Sequence, residues 1–340
     1  MARDKLREPG PTGVVMIELL NPTMAGLARY LADVVQFRLR YELKARSDRR
    51  AAVDFAVDRF CTPAGRRGEI SSRCVALDAK RLLGESLDDN DRRRLERSLG
   101  AARHEELRVR GETLRLYRWT SHAACARALM IHGWEGYALS LSGFVEPLHA
   151  LGFEVVAFDH RSHGASSGQR SSLPDFVWDL EAVIESEGPF ELMIGHSLGA
   201  AAMLQVIADS RVPPRRGVAL APFGDMTHLA SGWSRLNGLG TEFAPQLILG
   251  LQRRYPFDPD RVSASFLAPR LQSSITIVHD RDDPITPLRS SQALAAANAQ
   301  VELKVIEGSG HSRVIVSPAS LAAVIGSAQI IRNTRADRTT

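Results

Sequence analysis

One stretch constrains this chain more than any other. Residues 190–199 read FELMIGHSLG, and 200–209 continue as AAAMLQVIAD. An apolar run breaks abruptly into Gly-His-Ser-Leu-Gly and then into residues that favour a helix. The pattern predicts a strand, a tight turn and a helix, with Ser197 at the apex. Gly195 and Gly199 have no Cβ, so a strained turn can pass close to its neighbours there. G-x-S-x-G in this setting is a nucleophile elbow. The helix starting at Leu198 would direct its positive end toward whatever Ser197 meets. The rest of the chain is therefore read for a base, an acid and backbone donors that could serve one serine.

With 340 residues the chain can bury a large core in one elaborated domain or two. The +4 formal charge is uneven: residues 1–110 hold 23 Lys and Arg against 17 Asp and Glu. A basic segment attracts anionic lipid or nucleic acid. Here acids and bases are interspersed, which predicts a solvated surface and no nucleic-acid partner. Cys61, Cys74 and Cys125 form no C-x-x-C pair and are too few for a disulfide framework. The run GVVMIELL near the N-terminus is short and interrupted by Glu18, a poor span and a poor signal peptide. A cytoplasmic protein is expected.

Residues 1–22 read as irregular. From Met24 to about Ser47, Leu27, Tyr30, Leu31, Val34, Val35, Leu39 and Leu43 recur at helical steps, predicting one apolar helix face. That face is expected to pack on the rest of the protein; peripheral membrane contact through residues 24–47 is the less favoured alternative. A second helix is expected from Arg49 to Phe60, a linker over 61–73, and further helical patches at Cys74–Leu83 and Asp88–Leu99. At His104 the period changes. HEELRVR, Gly111-Glu112 and TLRLYRW predict a hairpin. Short apolar strands then alternate with helices, including Leu141–Leu151, Pro174–Glu187, Leu288–Asn298 and Leu321–Ile331. Such alternation predicts a mostly parallel sheet covered on both faces.

A hairpin ahead of parallel strands, with the elbow midway, resembles the α/β-hydrolase fold. The resemblance covers about residues 104–331. It implies a helical or irregular extension over 1–103, a catalytic domain over 104–331 and a disordered tail over 332–340. Roughly 50 residues separate the strand ending near Pro222 from the next at Ser274, more than one connection needs. Residues 223–272 are therefore expected to form a small helical lid, with Trp233 and Phe243 as candidates to line a substrate pocket.

The resemblance also implies the partners of Ser197. The family order is Ser, then Asp or Glu, then His. DRDDPITP follows the strand SITIVHD, and matching the family's acid turn selects Asp283. Asp280 and Asp282 lie close enough to compete, and Asp225 is a more distant candidate. His311, in the SGHSR loop after the last strand, is the implied base. The implied oxyanion donors are the backbone N–H groups of Leu198 and of Trp134, in the HGW segment. DHRSHGAS, 159–166, resembles a turn that braces the sheet edge, while His132 and His196 are expected to orient or pack. The segments that bind nucleotides or metals in other folds are missing from the pattern, so no cofactor and no metal is expected. The implied activity is hydrolysis of a small-molecule carboxylic ester through an acyl-enzyme, as in bacterial esterases and lysophospholipase-like members. Thioester cleavage or acyl transfer would use the same groups, and a non-catalytic binding protein on this scaffold is a further alternative.

Overall fold

A computed structural model describes residues 24–63, 101–120 and 124–336. The expectations for 1–22, 74–83 and 88–99 lie outside the described residues. Among the described residues, eight strands form one sheet: β1 (Arg103–Val109), β2 (Glu112–Trp119), β3 (Ala126–Ile131), β4 (Phe153–Asp159), β5 (Leu192–His196), β6 (Arg216–Leu220), β7 (Ser274–Asp280) and β8 (Val301–Ile306). Their order is β1-β2-β4-β3-β5-β6-β7-β8. The β1–β2 and β2–β4 pairs are antiparallel and all later pairs parallel. The chain runs from β3 outward to β4, then returns to lay β5 on the other side of β3. Such a reversal opens a crevice at the carboxyl ends of the two strands. Ile131 of β3 stands level with Gly195 of β5, so the segments HGW and GHSLG leave the sheet side by side.

The hairpin turn is Arg110-Gly111, one residue earlier than expected, because Val109 pairs with Glu112. Both turn residues have positive φ, 49° and 87°. That backbone twist matches the twist of the flanking strands, and glycine fits its second position.

Helices cover both faces. On one lie α4 (Leu173–Glu187), α5 (Ser197–Asp209) and α9 (Leu288–Ala297). On the other lie α3 (Val145–Ala150) and α11 (Pro318–Ala336). The helix expected at 141–151 is instead a 3₁₀ segment, Ala138–Phe144, followed by α3. Ser172 caps α4 as its side chain accepts the Asp175 N–H, with Pro174 in the first turn. The tail expected at 332–340 is helical as far as Ala336, since α11 continues; residues 337–340 lie outside the described residues. Among the described residues, no single helix is long and apolar enough to cross a membrane.

The insertion after β6 contains α6 (Met226–Leu236), α7 (Ala244–Arg254) and α8 (Ala264–Leu267). Against α6 and α7 pack the N-terminal helices α1 (Met24–Ser47) and α2 (Arg49–Phe60). Asp48 caps α2, accepting the N–H groups of Arg50 and Ala51. The inward face of α1 keeps only part of the face read from helical spacing, Tyr30 and Val34. Phe37, 3% exposed, faces inward with Tyr30, Val34 and Tyr41, whereas Leu31, Val35, Leu39 and Leu43 are 51–64% exposed. Aromatic rings settle the orientation, because each buries more apolar area than a leucine. Phe37 stacks on Phe55 at 5.4 Å and meets Trp233 edge-on at 6.0 Å.

Candidate active site

Ser197 sits at the junction of β5 and α5, 8% exposed. Its φ is +51°, a strained value for a residue with a side chain. The flanking glycines make the turn possible. A Cβ on Gly195 would lie 2.7 Å from Ala200 Cα, and one on Gly199 would collide with the carbonyl of His132. The neighbouring loop is equally tight, since a Cβ on Gly133 would lie 2.9 Å from Ser197 Cβ.

His311 lies on α10 (Gly310–Arg313) and bridges two groups. Its Nε2 is 2.9 Å from Ser197 Oγ and its Nδ1 is 2.8 Å from Asp283 Oδ2. A carboxylate only accepts, so Nδ1 carries the proton and the Nε2 lone pair faces the serine hydroxyl. The Asp283 side chain is buried. Oδ1 accepts the N–H groups of Ile285 and Thr286, at 2.8 and 2.9 Å, and Oδ2 also accepts the Thr286 hydroxyl at 2.9 Å. Burial alone would raise the pKa of Asp283, but hydrogen bonds from His279, His311 and the Thr286 backbone outweigh it. They hold the carboxyl well below the usual range, so it is ionised at neutral pH.

The competing aspartates do other work. Asp225 caps α6 by accepting the His228 N–H at 2.8 Å and pairs with Arg289 at 3.1 Å. Asp280 accepts the N–H groups of Ser309 and Gly310, at 2.6 and 3.0 Å, and so ties the His311 loop to β7. Asp282 is exposed. Of these four residues, Asp283 is the one that meets His311.

Three histidines hold the site in shape. His196 donates from Nε2 to the His311 carbonyl at 3.0 Å, and burial followed by the nearby His311 lowers its pKa to about 3. His279 spans Ser291 Oγ and the Thr286 carbonyl, 2.8 Å each, behind the Asp283 turn. His132 Nε2 accepts the His160 N–H at 2.9 Å, so its Nδ1 carries the proton and donates to the Gly133 carbonyl at 2.7 Å. Burial and the neighbouring His160 push its pKa well down, which keeps this ring neutral. The Gly133 carbonyl also accepts the Gly136 N–H at 3.0 Å. Gly133 C=O and Trp134 N–H belong to one planar trans peptide and point opposite ways. Holding the carbonyl therefore sets the direction of the Trp134 N–H. The Leu198 N–H lies in the first turn of α5, where backbone donors have no intrahelical acceptor.

Within the 159–166 segment, expected to brace the sheet edge, Asp159 makes the bracing contacts, a role not assigned to it individually from sequence. Its buried carboxylate accepts the Ala138 N–H at 2.7 Å, the Ala165 N–H at 2.9 Å and the Tyr117 hydroxyl at 3.0 Å. It joins β2, the segment after HGW and the 159–166 turn. The signal was the D-x-x-x-x-G spacing: a Cβ on Gly164 would collide with this carboxylate.

A cavity of about 700 Å³ opens over Ser197, and His311, Trp134, Leu198 and Trp233 share its lining. Phe243 does not line it, which corrects the expectation. Its ring meets Tyr41 edge-on at 5.4 Å, inside the contact between α7 and α1. The two tryptophan and phenylalanine candidates were equivalent in sequence; the docking of α1 separated them.

A sequence profile of the alpha/beta hydrolase family matches residues 128–324. This chain belongs to the alpha/beta hydrolase family. Solved structures share the hydrolase fold at low identity. A membrane phospholipase A, described as a bacterial virulence factor, aligns at 14% identity and TM-score 0.55, covering 78% of this chain and 96% of its own. An esterase from Pyrococcus furiosus aligns at 21% identity and TM-score 0.52, covering 68% and 92%. A thioesterase domain from the curacin biosynthetic pathway aligns at 20% identity and TM-score 0.50, covering 67% and 99%. A search of curated protein sequences found no match.

Proposed function

We propose that this hydrolase cleaves carboxylic esters with a sizeable apolar part, through an acyl-enzyme on Ser197. The observation that carries the reading is His311, placed between buried Asp283 and Ser197 Oγ at the lining of one mostly apolar cavity. The esterase and phospholipase names among its structural neighbours agree with it.

Ser197 Oγ attacks the ester carbonyl carbon as His311 Nε2 takes its proton. Asp283 holds the imidazole tautomer and stabilises the imidazolium. The carbonyl oxygen becomes an oxyanion that accepts from the N–H groups of Leu198 and Trp134. The C–O bond to the alcohol then breaks, and His311 returns the proton to the departing alkoxide. Water, deprotonated by the same histidine, hydrolyses the acyl-enzyme and restores Ser197.

A short fluorophosphonate should label Ser197 in the purified full chain, and His311→Ala should abolish labelling. A folded protein that never labels would sink the reading and favour a binding role. Parallel panels of p-nitrophenyl esters and acyl-CoA thioesters assign the bond; faster turnover of the thioesters would replace ester cleavage with thioester cleavage at the same serine.

A further inference from the structure

The helices α1 and α2 lie outside the stretch matched to the hydrolase family. Even so, Tyr30 and Asp33 of α1 and Arg59 and Phe60 of α2 line the same cavity as Ser197. Helix α6 measures the distance between them. The segment leading into it lies beside the nucleophile, where the Phe223 N–H donates to the Ser197 carbonyl at 3.4 Å. From there Met226, Leu229, Trp233 and Leu236 line the cavity at helical steps. At 1.5 Å per residue, Met226 to Leu236 spans about 15 Å.

At that remote end α1 and α2 are fastened to α6. The Tyr30 hydroxyl donates to the Leu236 carbonyl at 3.0 Å, and Arg59 Nε donates to Asn237 Oδ1 at 2.7 Å. Phe60 stands edge-on to Trp233 at 5.4 Å. The polar groups there engage one another: Arg59 also pairs with Asp33 at 2.5 Å, and Asn237 Nδ2 donates to the Trp233 carbonyl at 2.9 Å. A network satisfied in this way acts as a wall, while Met226, Leu229 and Trp233 of α6 offer apolar surface between it and Ser197, beside His228 and Ser231.

We infer that α1 and α2 form the remote wall of the substrate pocket and that Phe60 and Tyr30, which share its lining, set the length of the apolar chain. The substrates are long-chain acyl esters whose chain lies along α6. The inference rests on the ester-hydrolase reading for its kinetic readout, and a binding readout tests it without that reading.

The kinetic experiment compares kcat/KM of the full chain on p-nitrophenyl butyrate, dodecanoate and palmitate. Phe60→Trp should lower the palmitate-to-butyrate ratio about tenfold, as expected for a pocket shortened by a few methylenes. Phe60→Ala should shift the preference toward the longer ester. Leu229→Trp, nearer to Ser197, should cut off the series at a shorter chain than Phe60→Trp does. If Phe60→Trp is misfolded by circular dichroism, Phe60→Ala and Tyr30→Trp carry the test. Ratios within about twofold of wild type in the folded wall variants, with Ser197 still labelled, would overturn the inference.

The binding experiment uses Ser197→Ala protein and displacement of a fluorescent long-chain fatty acid. Adding Phe60→Trp should weaken its binding about tenfold. If wild type hydrolyses no ester but binding depends on chain length and on Phe60, the wall stands and the hydrolase reading falls. Binding that ignores Phe60 overturns the wall.

Discussion

The two ends of the pocket are built by different physics. At the Ser197 end, the groups that meet the serine are held by directional bonds. Asp283 is held by the N–H groups of Ile285 and Thr286, and the His311 backbone is held by His196. At the α1–α2 end, hydrogen bonds from Tyr30 and Arg59 fasten the helices to α6, but the bulk of the contact is ring on ring: Phe37, Phe55, Phe60 and Trp233 pack at centroid distances of 5.4 to 6.0 Å. Hydrogen bonds fix angles, as proton transfer requires, whereas apolar packing fixes volume and reach. On the proposed function, the first end would set reaction rate and the second would select the chain.

The largest effects should come from breaking the first end. Ser197→Ala and His311→Ala are each expected to lower kcat about 10⁵- to 10⁶-fold, measured on a short p-nitrophenyl ester. Asp283→Asn should cost about 10⁴-fold, because an amide can hold the wrong imidazole tautomer. Asp225→Asn affects a cap, so it should cost at most about 1 kcal/mol of stability and leave this rate ranking intact. A reversed ranking would move the acid to Asp225.

His132→Ala sharpens the comparison, because it leaves all three reacting side chains in place. It leaves the Gly133 carbonyl held by the Gly136 N–H alone and so loosens the direction of the Trp134 N–H. The expected loss is up to about 10²-fold, the lower range for losing one oxyanion donor. It should appear in kcat with little change in KM; a loss confined to KM would refute this role.

At the other end the effect should be on stability. Phe37→Ala and Phe243→Ala each remove a buried ring from the α1 contact and should cost about 3–5 kcal/mol in urea unfolding. Leu39→Ser on the outer face of α1 should change stability by no more than about 0.5 kcal/mol. Equal losses for the two classes would mean that α1 is not docked as described.

A smaller, pH-dependent effect belongs to the serine end. His132 and His160 are fully buried, and burial pushes both pKa values well below the ordinary imidazole value. Below about pH 6.5 the unfolded chain binds protons at these positions and the folded chain does not. Unfolding then takes up protons, so stability falls as pH drops, by up to about 1.4 kcal/mol per pH unit per histidine. Urea midpoints measured from pH 7 to 5 should show this slope, and His160→Asn should flatten it.

Much of the serine end was legible in the sequence. Gly195, Ser197 and Gly199 declare a strained turn because the requirement is local: positive φ at one residue and no Cβ at its neighbours. Alternating apolar strands and helices declared the parallel sheet for the same reason. The order of Ser197, Asp283 and His311 suggested their roles, but resemblance alone preferred Asp283 over Asp280, Asp282 and Asp225. Tertiary structure separated these residues by bringing β7 and the loop after β8 together. It also decided which face of α1 turns inward, which of Trp233 and Phe243 reaches the cavity, and that His132 holds the Gly133 peptide. The remote wall joins Arg59 to Asn237 and Tyr30 to Leu236, 178 and 206 residues apart. Backbone sterics and side-chain periodicity act over a few residues and can be read along the chain. A pocket wall is a set of contacts between distant segments, and it exists only once the helices have docked.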